Sequence, residues 1–240
     1  VSFLPGWFPS PSQRKIEVLR LGSTTMGINP AEPVHVWSGT PIAAKDYARV
    51  VCVCIVAARS LTTSFSGLSS CTIAGVSATI GGQCELTANI SQNRSGFIAF
   101  AYATISAGAS GNVTVVVNPY ANQVIIHAFE VSGSTGVASI LTYPTRSQTH
   151  VMSRNVPAGS AVIGLGGTTS TSASVTGSSW SGLGNAFETQ YPSPFSTQRC
   201  TLSTAFQQDL PAASPKIIST TVSNFPDVVA HQAISALFIL

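Results

Sequence analysis

From Arg49 to Leu240 the chain is cut by Gly, Ser, Pro and Asn into apolar or alternating segments of strand length, and no stretch carries the three-and-four spacing of an amphipathic helix. That feature confines the fold to the all-β class. Strands are predicted at Arg49 to Arg59, Phe97 to Ile105, Asn112 to Val117, Gln123 to Val131 and Ser160 to Leu165. Further strands are predicted at Ser172 to Trp180, Ala186 to Tyr191, Arg199 to Gln207, Lys216 to Val222 and His231 to Leu240. Cys71 to Ile80 reads as a hairpin turning near Gly75. Many short strands with closely spaced turns imply a β-sandwich or jelly-roll-like fold.

The segment before Arg49 is different. It holds Phe3, Trp7, Phe8 and Trp37 among prolines at positions 5, 9, 11, 30, 33 and 41. Proline fixes its own backbone and pushes the preceding residue to extended conformations, so residues 1–46 are expected to form an irregular extended arm ahead of a sandwich domain over 47–240. Aromatics on such an arm need a place to be buried. Either they fold back over the sandwich or Phe3, Leu4, Trp7 and Phe8 dock into a neighbouring subunit, with Val1 to Ser12 ordered only in the assembly.

Composition narrows the partners. Only 8% of the 240 residues are charged against 44% hydrophobic, where an ordinary domain carries roughly 25% charged residues. The surface must therefore rely on Ser, Thr, Asn, Gln and Gly. The net charge of +3 is scattered along the chain, with no basic block to neutralise a run of phosphates, so nucleic acid is not an expected partner. No apolar run reaches the roughly 18 residues of a spanning helix, so no membrane partner is expected either. The uncharged, Pro-broken start lacks the form of a signal peptide.

Cysteines number five, an odd count that forbids complete internal pairing. Cys52 and Cys54 alternate with Val51, Val53 and Ile55, which suits buried thiols acting as small hydrophobes. A Cys71–Cys84 disulfide across the hairpin region stays open as an alternative. No Cys-x2-Cys spacing or His cluster suggests a metal site, so no metal or cofactor is expected.

Catalytic chemistry is thinly represented. The histidines are at 35, 127, 150 and 231, and His127 and Glu130 point to opposite faces of one strand. No nucleophile elbow, His-x-x-x-His pair or phosphate loop occurs, and no catalytic residue is expected. Sequons at Asn89, Asn93 and Asn112 are what chance supplies in a Ser/Thr-rich chain. The rival function is carbohydrate binding, with Tyr143, Trp180 and Tyr191 as the candidate aromatic platform.

Several motifs then point to a family. Thr72-Ile-Ala-Gly-Val-Ser-Ala-Thr79, Ile98-Ala-Phe-Ala-Tyr-Ala-Thr-Ile105 and Gly111-Asn-Val-Thr-Val-Val-Val117 follow the Val-rich strand before Arg59, and Val156-Pro-Ala-Gly-Ser-Ala-Val-Ile-Gly164 follows later. Together they resemble accessory structural proteins of tailed bacteriophages and prophage-like particles. The start, Phe3-Leu-Pro-Gly-Trp-Phe-Pro9, resembles the anchoring start of phage head or tail accessory proteins. The resemblance implies a non-enzymatic head decoration, spike or fibre-base protein of the virion, assembled in the bacterial host cytoplasm, with other capsid or tail proteins as partners. A tail-fibre host-recognition module is the sugar-binding form of the same resemblance. The apolar last strand, His231 to Leu240, is expected either at the centre of its own sheet or buried between subunits, which favours a homo-oligomer. Trimers are common among the projecting phage proteins it resembles, so a trimer is one form that the resemblance allows.

Overall fold

Arg49–Arg59, the second strand in chain order, is buried at every position. Its uninterrupted apolar run leaves no face for water, so a layer must cover each side. Cys52, Cys54 and Val56 point into one core and Val51, Val53 and Ile55 into another. Each large side chain so buried stabilises the fold by about 1.5–3 kcal/mol.

The structure, a computed structural model, describes residues 15–59, 67–89, 94–134, 136–145, 148–170, 176–192, 199–223 and 230–239. Among them are fifteen strands and no helix. The first seven are β1 (Glu17–Ile42), β2 (Arg49–Arg59), β3 (Gly67–Ile73), β4 (Val76–Ser77), β5 (Thr79–Asn89), β6 (Arg94–Ile105) and β7 (Gly111–Ser132). They make a seven-stranded antiparallel sheet in the order β4-β3-β7-β2-β6-β5, with β1 on the other side of β7. The early part of β7 pairs with β3 and its later part with β2. The sheet curls as a result: Leu68, Ile73, Val113 and Val115 close over Val53, Ile55, Phe97 and Ala101 as a core within the one sheet.

The rest of the chain forms β8 (Val137–Thr145), β9 (Thr149–Val156), β10 (Ser160–Ser170), β11 (Thr176–Ser181), β12 (Gly184–Pro192), β13 (Arg199–Leu210), β14 (Ala213–Ser223) and β15 (Ala230–Ile239). A five-stranded sheet, β12-β13-β10-β15-β8, packs Ile163, Leu165, Leu202 and Phe206 on the outer face of the curled sheet, against Cys54, Phe100 and Phe129. Its other face meets a three-stranded sheet, β11-β14-β9, through Val162, Ala205, Met152 and Ile218. Three cores thus lie in sequence through the molecule. β10 is sandwiched like β2, and its glycines set the layer spacing: a Cβ on Gly164 would lie 2.6 Å from the Trp180 ring, and one on Gly167 2.2 Å from Ile98.

Two expectations are corrected and one open alternative is closed. Residues 17–42 are not an irregular arm but a strand paired along β7, with register shifts between Gly27 and Val34 where Pro30 and Pro33 fall. The two strands expected at Asn112 to Val117 and Gln123 to Val131 are one, β7. Pro119 lies between the β3 and β2 ladders, where its missing N–H is not needed by either. All five cysteines are free and buried, so no Cys71–Cys84 bond forms. Burial pushes the Cys52, Cys71 and Cys200 thiols up to about 12 and Cys84 to about 11.

The hairpin at Gly75 stands as expected, with the two-residue turn Ala74–Gly75 between paired Ile73 and Val76, and both turn residues at positive φ. β15 is hydrogen-bonded to β10 on one side and β8 on the other. It lies inside its own sheet, so its apolar character is no argument for an oligomer.

Candidate functional site

Two clusters of ionisable groups are built into the interior. The first sits where β2 begins. Side-chain alternation turns Arg49 and Glu130 to the same side of neighbouring strands, away from His127, and Arg49 Nε lies 3.1 Å from Glu130 Oε2 with both side chains almost fully buried. Tyr47 donates its O–H to Glu130 Oε1 at 2.6 Å, and Arg49 Nη2 donates to the Ala43 carbonyl. Arg49 Nη1 is buried without a partner. The hydrogen bond to Glu130 leads the causes that hold the Tyr47 phenol above its usual range. Both carboxylate oxygens are engaged, so the group is a closed structural contact rather than a proton-transfer site.

The second cluster joins the two parts of the chain. His127, on β7, meets Thr204 Oγ1 through Nδ1 and Thr189 Oγ1 through Nε2, each at 2.8 Å. Arg20 of β1 stacks over Phe187 at 4.5 Å. Burial, followed by the Arg20 charge, pushes the imidazole down to about 3. At neutral pH the ring is therefore uncharged and a poor base, since an effective general base titrates near the working pH.

A cleft of about 210 Å³ lies at the head of β2, beside Arg49 and away from His127, lined by Ala48, Arg49, Val50, Thr104, Val131, Gly133, Ser134 and Gly136. It is smaller than the roughly 300–1,000 Å³ of ordinary ligand pockets. Among the described residues no group of three or more His, Cys, Asp or Glu is placed to hold a metal ion.

The residues proposed for sugar binding do not converge. Tyr143 is on β8 and Tyr191 on β12, the two edges of the five-stranded sheet, about 19 Å apart at ordinary strand spacing. The side chains of both lie outside the described residues. Trp180 is part-buried between sheets, donating its indole N–H to Ser203 Oγ at 2.8 Å. It is a packing residue, not an open platform. Trp180→Phe is expected to destabilise the protein by about 1–2 kcal/mol, because the buried Ser203 hydroxyl loses its donor. Urea unfolding of the two proteins would check this. Phe3, Leu4, Trp7 and Phe8, the expected docking residues, lie outside the described residues.

Two surfaces are more telling. β1 pairs only with β7 among the described residues, and it exposes Leu19, Val34 and Val36 at 54%, 44% and 46%. Sequence reading missed this rim because prolines masked the strand. On the far side of the molecule the three-stranded sheet turns Val151 and Ile217 outward among Thr149, Ser153, Ser219 and Thr221. That outward group carries no charge.

No family model, curated protein or solved structure matches the chain, so the resemblance to phage accessory proteins rests on the quoted motifs alone.

Proposed function

We propose that the chain is a non-enzymatic virion structural protein, a head decoration, spike or fibre-base component of a phage-like particle, with the architecture of a β-sandwich of jelly-roll type. It acts by binding neighbouring subunits, other capsid or tail proteins or its own copies, and turns nothing over. The observation that carries this reading is β1. An edge strand leaves a row of N–H and C=O groups ready to pair with another chain, and natural proteins usually blunt such edges. The prolines of β1 fall in its middle and at its end, and its register shifts leave regular stretches, of which Val34 to Trp37 pairs with β7 and turns Val34 and Val36 to solvent. The uncharged outward group of the three-stranded sheet supports the same reading, since a polar but uncharged surface associates without a like-charge penalty.

The carbohydrate-binding alternative draws less support, because its three aromatics are spread over separate strands. The test is light scattering on the purified chain and on the Val34→Lys/Val36→Lys variant. The wild type is expected to associate at micromolar concentration and the variant to weaken that association at least about tenfold, the equivalent of 1.4 kcal/mol. A wild type that stays monomeric would remove the support that β1 lends.

A further inference from the structure

We propose that His127 is an acid latch: it pins the curled sheet to the β12–β13 pair, and its protonation opens that seam while the core inside the curled sheet stays shut. This is independent of the assembly reading. The geometry is specific. A neutral imidazole has one N–H donor and one bare acceptor nitrogen, so one threonine hydroxyl accepts from the ring and the other donates to it. Protonation makes both nitrogens donors. The threonine that had donated then loses its acceptor inside a seam where His127 and Thr204 have no exposure, and a buried orphaned hydroxyl is unfavourable.

Nothing around the ring offsets the new charge. From β1 it faces Arg20, a like charge. From β2 it faces the Cys54 thiol, its partner in register, and from β13 Thr204, both uncharged. On β12, Glu188 next to Thr189 is already occupied by the Ser178 N–H and by Gln190. Asp209 of β13 is taken by Lys15 at an exposed position. Glu130 is on the opposite face of β7 with Arg49, and β3 brings only Cys71, which points into the other core. Water is the remaining source of solvation, and it reaches the ring when β12 and β13 lift off β7.

The direction follows from linkage. The closed seam holds the imidazole at about 3, against 6.5 in water. The opened form therefore takes the proton first. The latch is fully closed above the aqueous value, and opening gains about tenfold per pH unit as the pH falls from there toward the buried value.

The cysteines report the result. Cys52, Cys54 and Cys200 line the seam, whereas Cys71 lies in the core within the curled sheet. Labelling with dipyridyl disulfide, which reacts with thiols in acid, is followed by mass spectrometry, with rates normalised to the unfolded chain. On acidification the seam thiols are expected to react progressively faster while Cys71 stays protected. His127→Gln, which still bridges two hydroxyls but does not titrate, should abolish the pH dependence. Arg20→Gln, which removes the like charge, should make the acid response level off at a higher pH, so that the total gain on acidification is smaller. Equal acid response in His127→Gln, or Cys71 reacting together with the seam thiols, overturns the proposal. Should His127→Gln fail to fold, an Arg20→Gln response that levels off at the wild-type pH with the wild-type total gain overturns it.

Discussion

Arg49→Met is expected to lower the unfolding free energy by about 3–5 kcal/mol, the range for breaking a buried ion pair from one side. The reason is the partner left behind: Glu130 is almost fully buried and would keep only the Tyr47 hydroxyl. Desolvation, not lost attraction, dominates that figure. Replacing both partners, as in Arg49→Met/Glu130→Leu, should therefore recover much of the loss, because two apolar groups of similar size leave no charge stranded. Urea unfolding of wild type, both single variants and the double closes the cycle. A loss below about 1 kcal/mol in Arg49→Met, the scale of a solvated surface pair, would mean that water reaches the site.

Gly182→Ala is the second large effect, about 2–4 kcal/mol. Gly182 has φ +80°, and a Cβ there would lie 2.1 Å from the Ile217 carbonyl oxygen, a backbone atom of β14 that cannot rotate away. The three-stranded sheet would have to shift off its core around Ile218 and Val222. Gly39 supplies the control, since it has φ +84° with open space around its Cβ position. Gly39→Ala should lose only the conformational part, about 1–2 kcal/mol. Thermal or urea unfolding of the two variants separates strain from collision, and equal losses would place the collision elsewhere.

How much of this was legible depends on how each element solves its burial problem. β2 and the first half of β10, Ser160 to Leu165, could be read because strands covered on both sides are rich in apolar residues, whereas Gly166 to Ser170 reads as a polar Gly/Ser/Thr-rich stretch. The small residues of β10 also signal close approach, although its partner Trp180 could not be named. β8 and β9 were not predicted: β8 carries Pro144, tolerated because β8 is a sheet edge, and β9 alternates buried His150 and Met152 with exposed Thr149 and Val151, a pattern weak in hydrophobicity. β1 was hidden by prolines that fall where its ladder is interrupted.

The interior polar contacts were less accessible still. His127 finds its partners 62 and 77 residues away, and no local spacing encodes that. Arg49 and Glu130 left one usable trace: a charge at the head of an apolar strand, and another inside one, each requiring a buried partner of opposite sign. The alternation that separated His127 from Glu130 was read correctly, and it is what sends one to the seam and the other to the ion pair.

On the function proposed above, this chain is built into a particle. Cryo-electron microscopy of intact particles purified from the source of this chain tests it directly. Repeated, symmetry-related density that fits the curled sheet and the two sheets stacked on it, with β1 against a neighbouring subunit, is the expected result. Particles that lack such density, while the chain is recovered intact as a free protein from the same material, would contradict it.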